Sequence, residues 1–201
     1  MLSNIWHYRG VHNQNSTFRS RLFYLFHRFI KENKNDISPD IAVKIMGSIR
    51  DLLPIEVRIP ELEDPESDLL AEAVKNSVFD SQLYLYETVA TLCSLLFKTP
   101  EQQAALLLSF VKPLLDELSV SLQTFAKGEQ DLVPIVKAHH AIMALGNIAK
   151  GFPEYPSPLP EGYISPPLDV FGQVAQAILV CLEVMNVFKV VRDAVRCRSN
   201  C

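Results

Sequence analysis

The chain has 201 residues, 48% of them hydrophobic and 21% charged, with a formal net charge of -4. That length is enough for a sizeable buried core, and the balance of residue types excludes a disordered tail. Charge is segregated: residues 1–34 carry six Arg and Lys against Glu32 alone, whereas residues 54–87 carry nine Asp and Glu against Arg58 and Lys75. Apolar residues recur at three and four along the whole length, alternation of period two is hard to find, and only 7 glycines occur, so helices are expected throughout.

The first helix is centred on "FRSRLFYLFHRFIK", Phe18 to Lys31. At 100° per residue, Leu22, Phe23, Leu25, Phe26, Phe29 and Ile30 fill an arc of roughly 160° that is expected to be buried. Arg21, Arg28, Lys31 and Tyr24 fall on the other side as a basic ridge, which read alone is a solvated face. In "SPDIAVKIMGSIRDLLP", Ser38 is the expected N-cap and Pro39 the first helical residue, with an apolar stripe from Ala42 to Leu53. "PIEVRIPELEDPES" brings three prolines and a run of acids, so residues 54–67 are expected to form an exposed loop.

A helical region from about Asp68 to Lys98 follows, broken near Asn76 to Asp80. Thr99 and Gln102 are spaced as a capping box, and Pro113 is expected to bend the helix that they open. Asp131, or Val133 with Pro134, starts the next helix, which Gly151 is expected to end in the left-handed region. The stretch "FPEYPSPLPEGYISPPL", with six prolines, reads as a second surface loop over residues 152–167. A last pair, Leu168 to about Met185 and Val187 to Arg198, is expected to turn tightly near Asn186. The fold class that follows is all-α: an α-solenoid of HEAT-like antiparallel helix pairs, with residues 1–201 as one segment.

The residues offer little to a catalyst. There is no Gly-rich phosphate loop, no nucleophile elbow, and no His pair at i and i+4 with a carboxylate. His139 and His140 are adjacent and diverge by 100° on a helix, so one buried and one exposed is expected. Cys197 and Cys201 share a face without further ligands, which is too few for zinc. Tyr84 and Tyr86 in "LYLYE" are spaced to stack a base, but aromatics this dense inside a helix read as core. No catalytic residue, cofactor or metal is expected. Four cysteines without a framework spacing point to a reducing compartment. The longest apolar run is interrupted at Lys112, Asp116 and Glu117, short of the roughly 20 residues of a span, so neither secretion nor membrane insertion is expected.

A second basic ridge, Lys189, Arg192 and Arg196 in "NVFKVVRDAVR", repeats the design of Arg21, Arg28 and Lys31. If stacked helices place both ridges on one wall, their summed potential attracts a polyanion.

Four segments in order, "FRSRLFYLFHRFIK", "FDSQLYLYETVATL", "HAIMALGNIAKGFP" and "VFKVVRDAVR", together resemble the middle of the tRNA exportin (exportin-T) family of the karyopherin-β superfamily, in a fungal version. The resemblance implies a HEAT-repeat superhelix without a catalytic site. Such a protein binds tRNA together with Ran-GTP, passes the nuclear pore through contacts with pore proteins, and shuttles between nucleus and cytoplasm. It also implies that the present chain is a fragment, since exportins are several times longer. Because the resemblance lies in helix cores, Arg21, Arg28, Lys31, Lys189, Arg192 and Arg196 are candidate tRNA contacts on charge alone, and no small-molecule substrate is implied. A helical-repeat scaffold that binds protein partners and no RNA is the competing expectation.

Overall fold

The computed structural model describes residues 10–13, 15–61, 69–75, 77–127, 131–154 and 166–199, with side chains in the last helix described from Pro167 to Val184. Among the described residues there are seven α-helices and no strand: α1 (Ser16–Asn33), α2 (Pro39–Ile49), α3 (Leu69–Val74), α4 (Ser77–Ser94), α5 (Pro100–Ala126), α6 (Leu132–Gly151) and α7 (Pro166–Ser199). Side-chain oxygens fix three of the starts by accepting an otherwise unpaired amide. Asn15 Oδ1 accepts from Phe18 N–H at 3.0 Å, Ser38 Oγ from Ile41 N–H at 3.4 Å, and Asp131 Oδ1 from Val133 N–H at 2.9 Å. Asp131, not Val133, therefore opens α6.

Four local expectations give way to tertiary context. Thr99 precedes α5 but caps nothing; its hydroxyl donates backward to Leu96 O at 3.2 Å, so no capping box forms. Gly151 is the last residue of α6 in the right-handed region, not a left-handed residue beyond it. A Cβ there would stand 2.4 Å from Ala90 Cβ, 2.6 Å from Glu87 O and 2.7 Å from Thr91 N, so glycine answers a close helix crossing. α2 stops at Ile49 and passes into a 3-10 turn, Arg50–Leu52, earlier than its apolar stripe. Finally, α7 runs unbroken through Asn186, because that stretch holds neither proline nor glycine to stop it. The break before α4 falls at Lys75, and residues 54–61, the described part of the first expected loop, are non-helical.

The helices stack as an all-α solenoid. α1 packs along α4 and α4 along α6, while α5 packs on α6 and α7. α4 is the middle of the assembly. From Leu85 to Cys93 every residue except Glu87 is buried, as expected of a helix covered on all sides. Its polar side chains bind neighbouring chain ends. Gln82 Nε2 donates to Leu52 O at 2.6 Å and Pro54 O at 3.0 Å, and one turn on, the Tyr86 hydroxyl donates to Leu53 O. The end of α4 is held in the same way by α5, where Gln103 Nε2 donates to Cys93 O at 3.0 Å and Ser94 O at 3.2 Å. Burial pushes the Cys93 thiol up to about 12, so it stays a protonated core residue.

α5 carries Pro113 inside it. Proline has no N–H, so Ser109 O loses its intrahelical donor. Arg50 supplies a replacement: its Nη2 donates to Ser109 O at 3.2 Å, and the guanidinium carbon lies 5.3 Å from the Phe110 ring centre. Beside this contact a cavity of about 320 Å³ separates Leu53, Pro54 and Tyr86 from Phe110 and Leu114. Two helical stretches, Leu132–Gly151 and Pro167–Val184, are long and apolar enough to cross a membrane by length and composition. In α6 that apolarity has another use, since Val136, Ala141, Ala144, Leu145 and Ile148 are all buried in the protein core.

Candidate nucleic-acid interface

α1 divides its surface more narrowly than its hydrophobic arc predicts. Phe23, Phe26, His27 and Ile30 are buried against the core, but Leu25 is 48% and Phe29 51% exposed. The reason is that α1 packs on α4 and leaves the far half of its apolar arc uncovered. Phe18, Leu25 and Phe29 thus lie in the open, alongside Arg21, Arg28 and Lys31.

All three cations are exposed, and two are paired. Arg28 Nε donates to Glu32 Oε1 at 2.7 Å, one turn along α1, which raises the guanidinium pKa further. Lys31 Nζ reaches across to Glu87 Oε1 on α4 at 3.1 Å. Arg21 makes no ion pair with a described residue. The ridge of three cations therefore carries two carboxylates within it, and its formal surplus is one positive charge. Pairs between exposed side chains are weak, about 0.2–1 kcal/mol, so a phosphate competes with Glu32 on nearly equal terms. Glu87 is different, because its side chain is only 14% exposed and it has a second partner.

That partner is His27, whose Nε2 lies 3.6 Å from the same Oε1. Its Nδ1 is 3.2 Å from Thr88 Oγ1, and Thr88 Oγ1 itself donates to Tyr84 O at 2.6 Å. Both ring nitrogens thus face an oxygen, Nδ1 the Thr88 hydroxyl and Nε2 the Glu87 carboxylate. Burial lowers the His27 pKa, the Glu87 charge opposes that, and Lys31 adds to the lowering. The imidazole is held between a carboxylate and an ammonium inside the α1–α4 contact.

The two tyrosines of "LYLYE" part company. Tyr86 is buried at 2% exposure and its hydroxyl is pushed far up by burial, whereas Tyr84 is exposed. His140 is fully buried, its ring stacked on Phe79 at 3.8 Å between centres, with burial pushing its pKa down to about 4. His139, half-buried, faces it with 3.1 Å between the two Nδ1 atoms. Among the described residues no group of three or more His, Cys, Asp or Glu is placed to hold a metal ion. The side chains of Lys189, Arg192 and Arg196, and of Cys197 and Cys201, lie outside the described residues; the three cations belong to α7, which packs on α5 and α6.

Glu32 was legible as an i+4 partner of Arg28. Glu87, 56 residues from Lys31, carries no local signal and emerges only from the packing of α1 on α4.

Comparison with known proteins settles the family. The Exportin-T family model matches residues 1–199. The chain belongs to the Exportin-T family. It is 69% identical over 188 residues to the Exportin-T of Laccaria bicolor, covering 94% of this chain and 18% of that protein. It is 58% identical over 189 residues to the Exportin-T of Coprinopsis cinerea and 32% identical over 191 residues to that of Mycosarcoma maydis. The chain spans under a fifth of the length of these relatives, at 17–18%.

Proposed function

We propose that this chain is one solenoid segment of a nuclear export receptor for tRNA. The receptor binds tRNA together with Ran-GTP, passes the nuclear pore by contacts with pore proteins, and shuttles between nucleus and cytoplasm. Within it, Arg21, Arg28 and Lys31 on α1 contact the phosphate backbone, joined by Lys189, Arg192 and Arg196 on α7. No chemical step is assigned to the segment: cargo affinity, not catalysis, is its work. The carrying observation is membership of the Exportin-T family together with an exposed row of three cations on one helix face. Cations placed by a rigid helix suit a ligand read by shape and backbone rather than by base edges.

The test is the salt dependence of tRNA binding by the full carrier. Replacing Arg21, Arg28 and Lys31 with Glu is expected to weaken binding and flatten the slope of log K against log salt by roughly 0.7–0.9 for each phosphate that is no longer neutralised. A slope that does not move removes these residues from the interface. A protein-binding scaffold has one observation in its favour, the exposed Phe18, Leu25 and Phe29 beside the ridge. It predicts partner capture that survives nuclease treatment and is abolished when these three become Ser.

A further inference from the structure

Tyr24 and Tyr84 form an exposed aromatic corner on the same surface. Tyr24 is on α1 and Tyr84 on α4, their ring centres 5.3 Å apart and their planes at 68°, and they are 43% and 36% exposed. Both rings belong to helices that bury other aromatic side chains: Phe23 and Phe26 on α1, Phe79 and Tyr86 on α4. The corner has a firm back. The buried His27 ring lies 5.5 Å from Tyr84, tilted by 35°, and is itself fixed by Thr88 and Glu87. Cations frame it as well. Arg28 lies one turn along α1 from Tyr24, close enough for the tyrosine oxygen to add to the raised guanidinium pKa, after Glu32. Lys31 bridges the two helices at Glu87, one turn from Tyr84.

Phosphate binding alone uses only the cations. Two exposed rings meeting edge to face at 68°, backed by a fixed imidazole and framed by an Arg and a Lys, are the parts of a site for a flat aromatic ligand with an anionic group attached. We propose that the Tyr24–Tyr84 corner receives one unpaired nucleobase of a bound RNA, stacked on the open face of one ring and met edge-on by the other, while Arg28 and Lys31 hold its adjoining phosphates. The proposal rests on the RNA-binding reading above and adds a contact that a fully paired stem does not provide. Stacking needs the ring face and not the hydroxyl, and it tolerates any base.

The experiment compares a labelled short oligoadenylate with an abasic strand of the same length, by fluorescence anisotropy with the full carrier at low salt. The intact strand is expected to bind about 5- to 150-fold more tightly than the abasic one, the range that one stacked base provides. Tyr24→Leu and Tyr84→Leu each remove most of that advantage, while Tyr24→Phe and Tyr84→Phe keep it, and abasic binding is the same in all variants. Photo-cross-linking from a brominated adenine in the wild-type carrier, mapped by mass spectrometry, is expected at the peptides bearing Tyr24 or Tyr84, and it needs no substitution that alters folding. Equal binding of the two strands, an advantage that survives both Leu variants, or cross-links found only elsewhere overturns the corner. If both strands bind alike with steep salt dependence, the polyanion reading stands and the corner falls. If neither strand nor tRNA binds, both fall.

Discussion

A double-mutant cycle on Arg50 and Pro113 is expected to show coupling, because the guanidinium replaces a hydrogen bond that proline removed. A hydrogen bond from a charged donor is worth about 1.5–3 kcal/mol when buried. Arg50 is exposed, so about 1 kcal/mol is the appropriate share for its bond to Ser109 O at 3.2 Å. The ring contact with Phe110 adds roughly 0.5–1 kcal/mol at an exposed site. Arg50→Leu should therefore destabilise the chain by about 1.5–2 kcal/mol. In a Pro113→Ala background the alanine N–H takes over Ser109 O, and the same arginine change should cost only the ring contact. The expected coupling is about 1 kcal/mol, read by urea unfolding of all four variants followed by far-ultraviolet circular dichroism. Distant, independent sites add within roughly 0.3–0.5 kcal/mol. Additivity of that quality here would refute the replacement of one donor by the other.

Two glycines of α6 should respond in opposite directions. Gly151→Ala places a Cβ within 2.4–2.7 Å of α4 and should cost about 2 kcal/mol or more, whereas Gly146→Ala meets nothing within 4 Å. The latter should stabilise by roughly 0.5–1 kcal/mol through helix propensity, and a stabilised Gly151→Ala in the same urea titration would contradict the close crossing. His140 makes stability depend on pH. Its folded pKa of about 4 lies below the unfolded 6.5, so the unfolded chain binds more protons and stability falls as pH drops from 6.5 towards 4. At 1.36 kcal/mol per pKa unit the full loss is about 3 kcal/mol. His140→Phe, which keeps the stack on Phe79, should flatten that limb of the profile, and an identical profile would assign the acid sensitivity to other groups. Glu87→Gln removes the carboxylate that competes for Lys31 and should tighten RNA binding by up to about fivefold at low salt, measured by anisotropy. Unaltered or weaker binding would mean that Lys31 is not a phosphate contact.

Much of this was legible from local chemistry. Ser38 and Asp131 announce their helices because a cap is a contact over two or three residues, and the period of Ala42, Ile45, Met46 and Ile49 gives the buried face of α2 directly. Thr99 and Gly151 look equally like local signals and are not, since one hydroxyl found a nearer acceptor and the glycine serves a helix crossing. The exposed half of the α1 arc was hidden for a different reason: periodicity states which residues are apolar, and only the neighbouring helix decides how many degrees are covered. The same holds for the site. Arg21, Arg28 and Lys31 share a face by helical geometry, but the carboxylate that discharges Lys31, and the tyrosine that meets Tyr24, arrive from α4.

The crossing at Gly151 also bears on how the stack can bend. Where α6 meets α4, Gly151 lies against the Ala90 methyl and the α4 backbone at Glu87 and Thr91 with no larger side chain between them, and on its other flank the same turn of α4, Glu87 to Thr91, takes Lys31 and His27 of α1. A joint of this kind has no compliant filling, so its spacing is set by backbone atoms and does not adapt to load. Towards α5, in contrast, Arg50 and a cavity of about 320 Å³ stand between residues 50–55, which follow α2, and α5. The stack is stiff along one side and yielding along the other, like a strip hinged at its edge. Changes of curvature on loading should pivot on the α1–α4–α6 edge, opening or closing the cavity while the basic face keeps its internal distances.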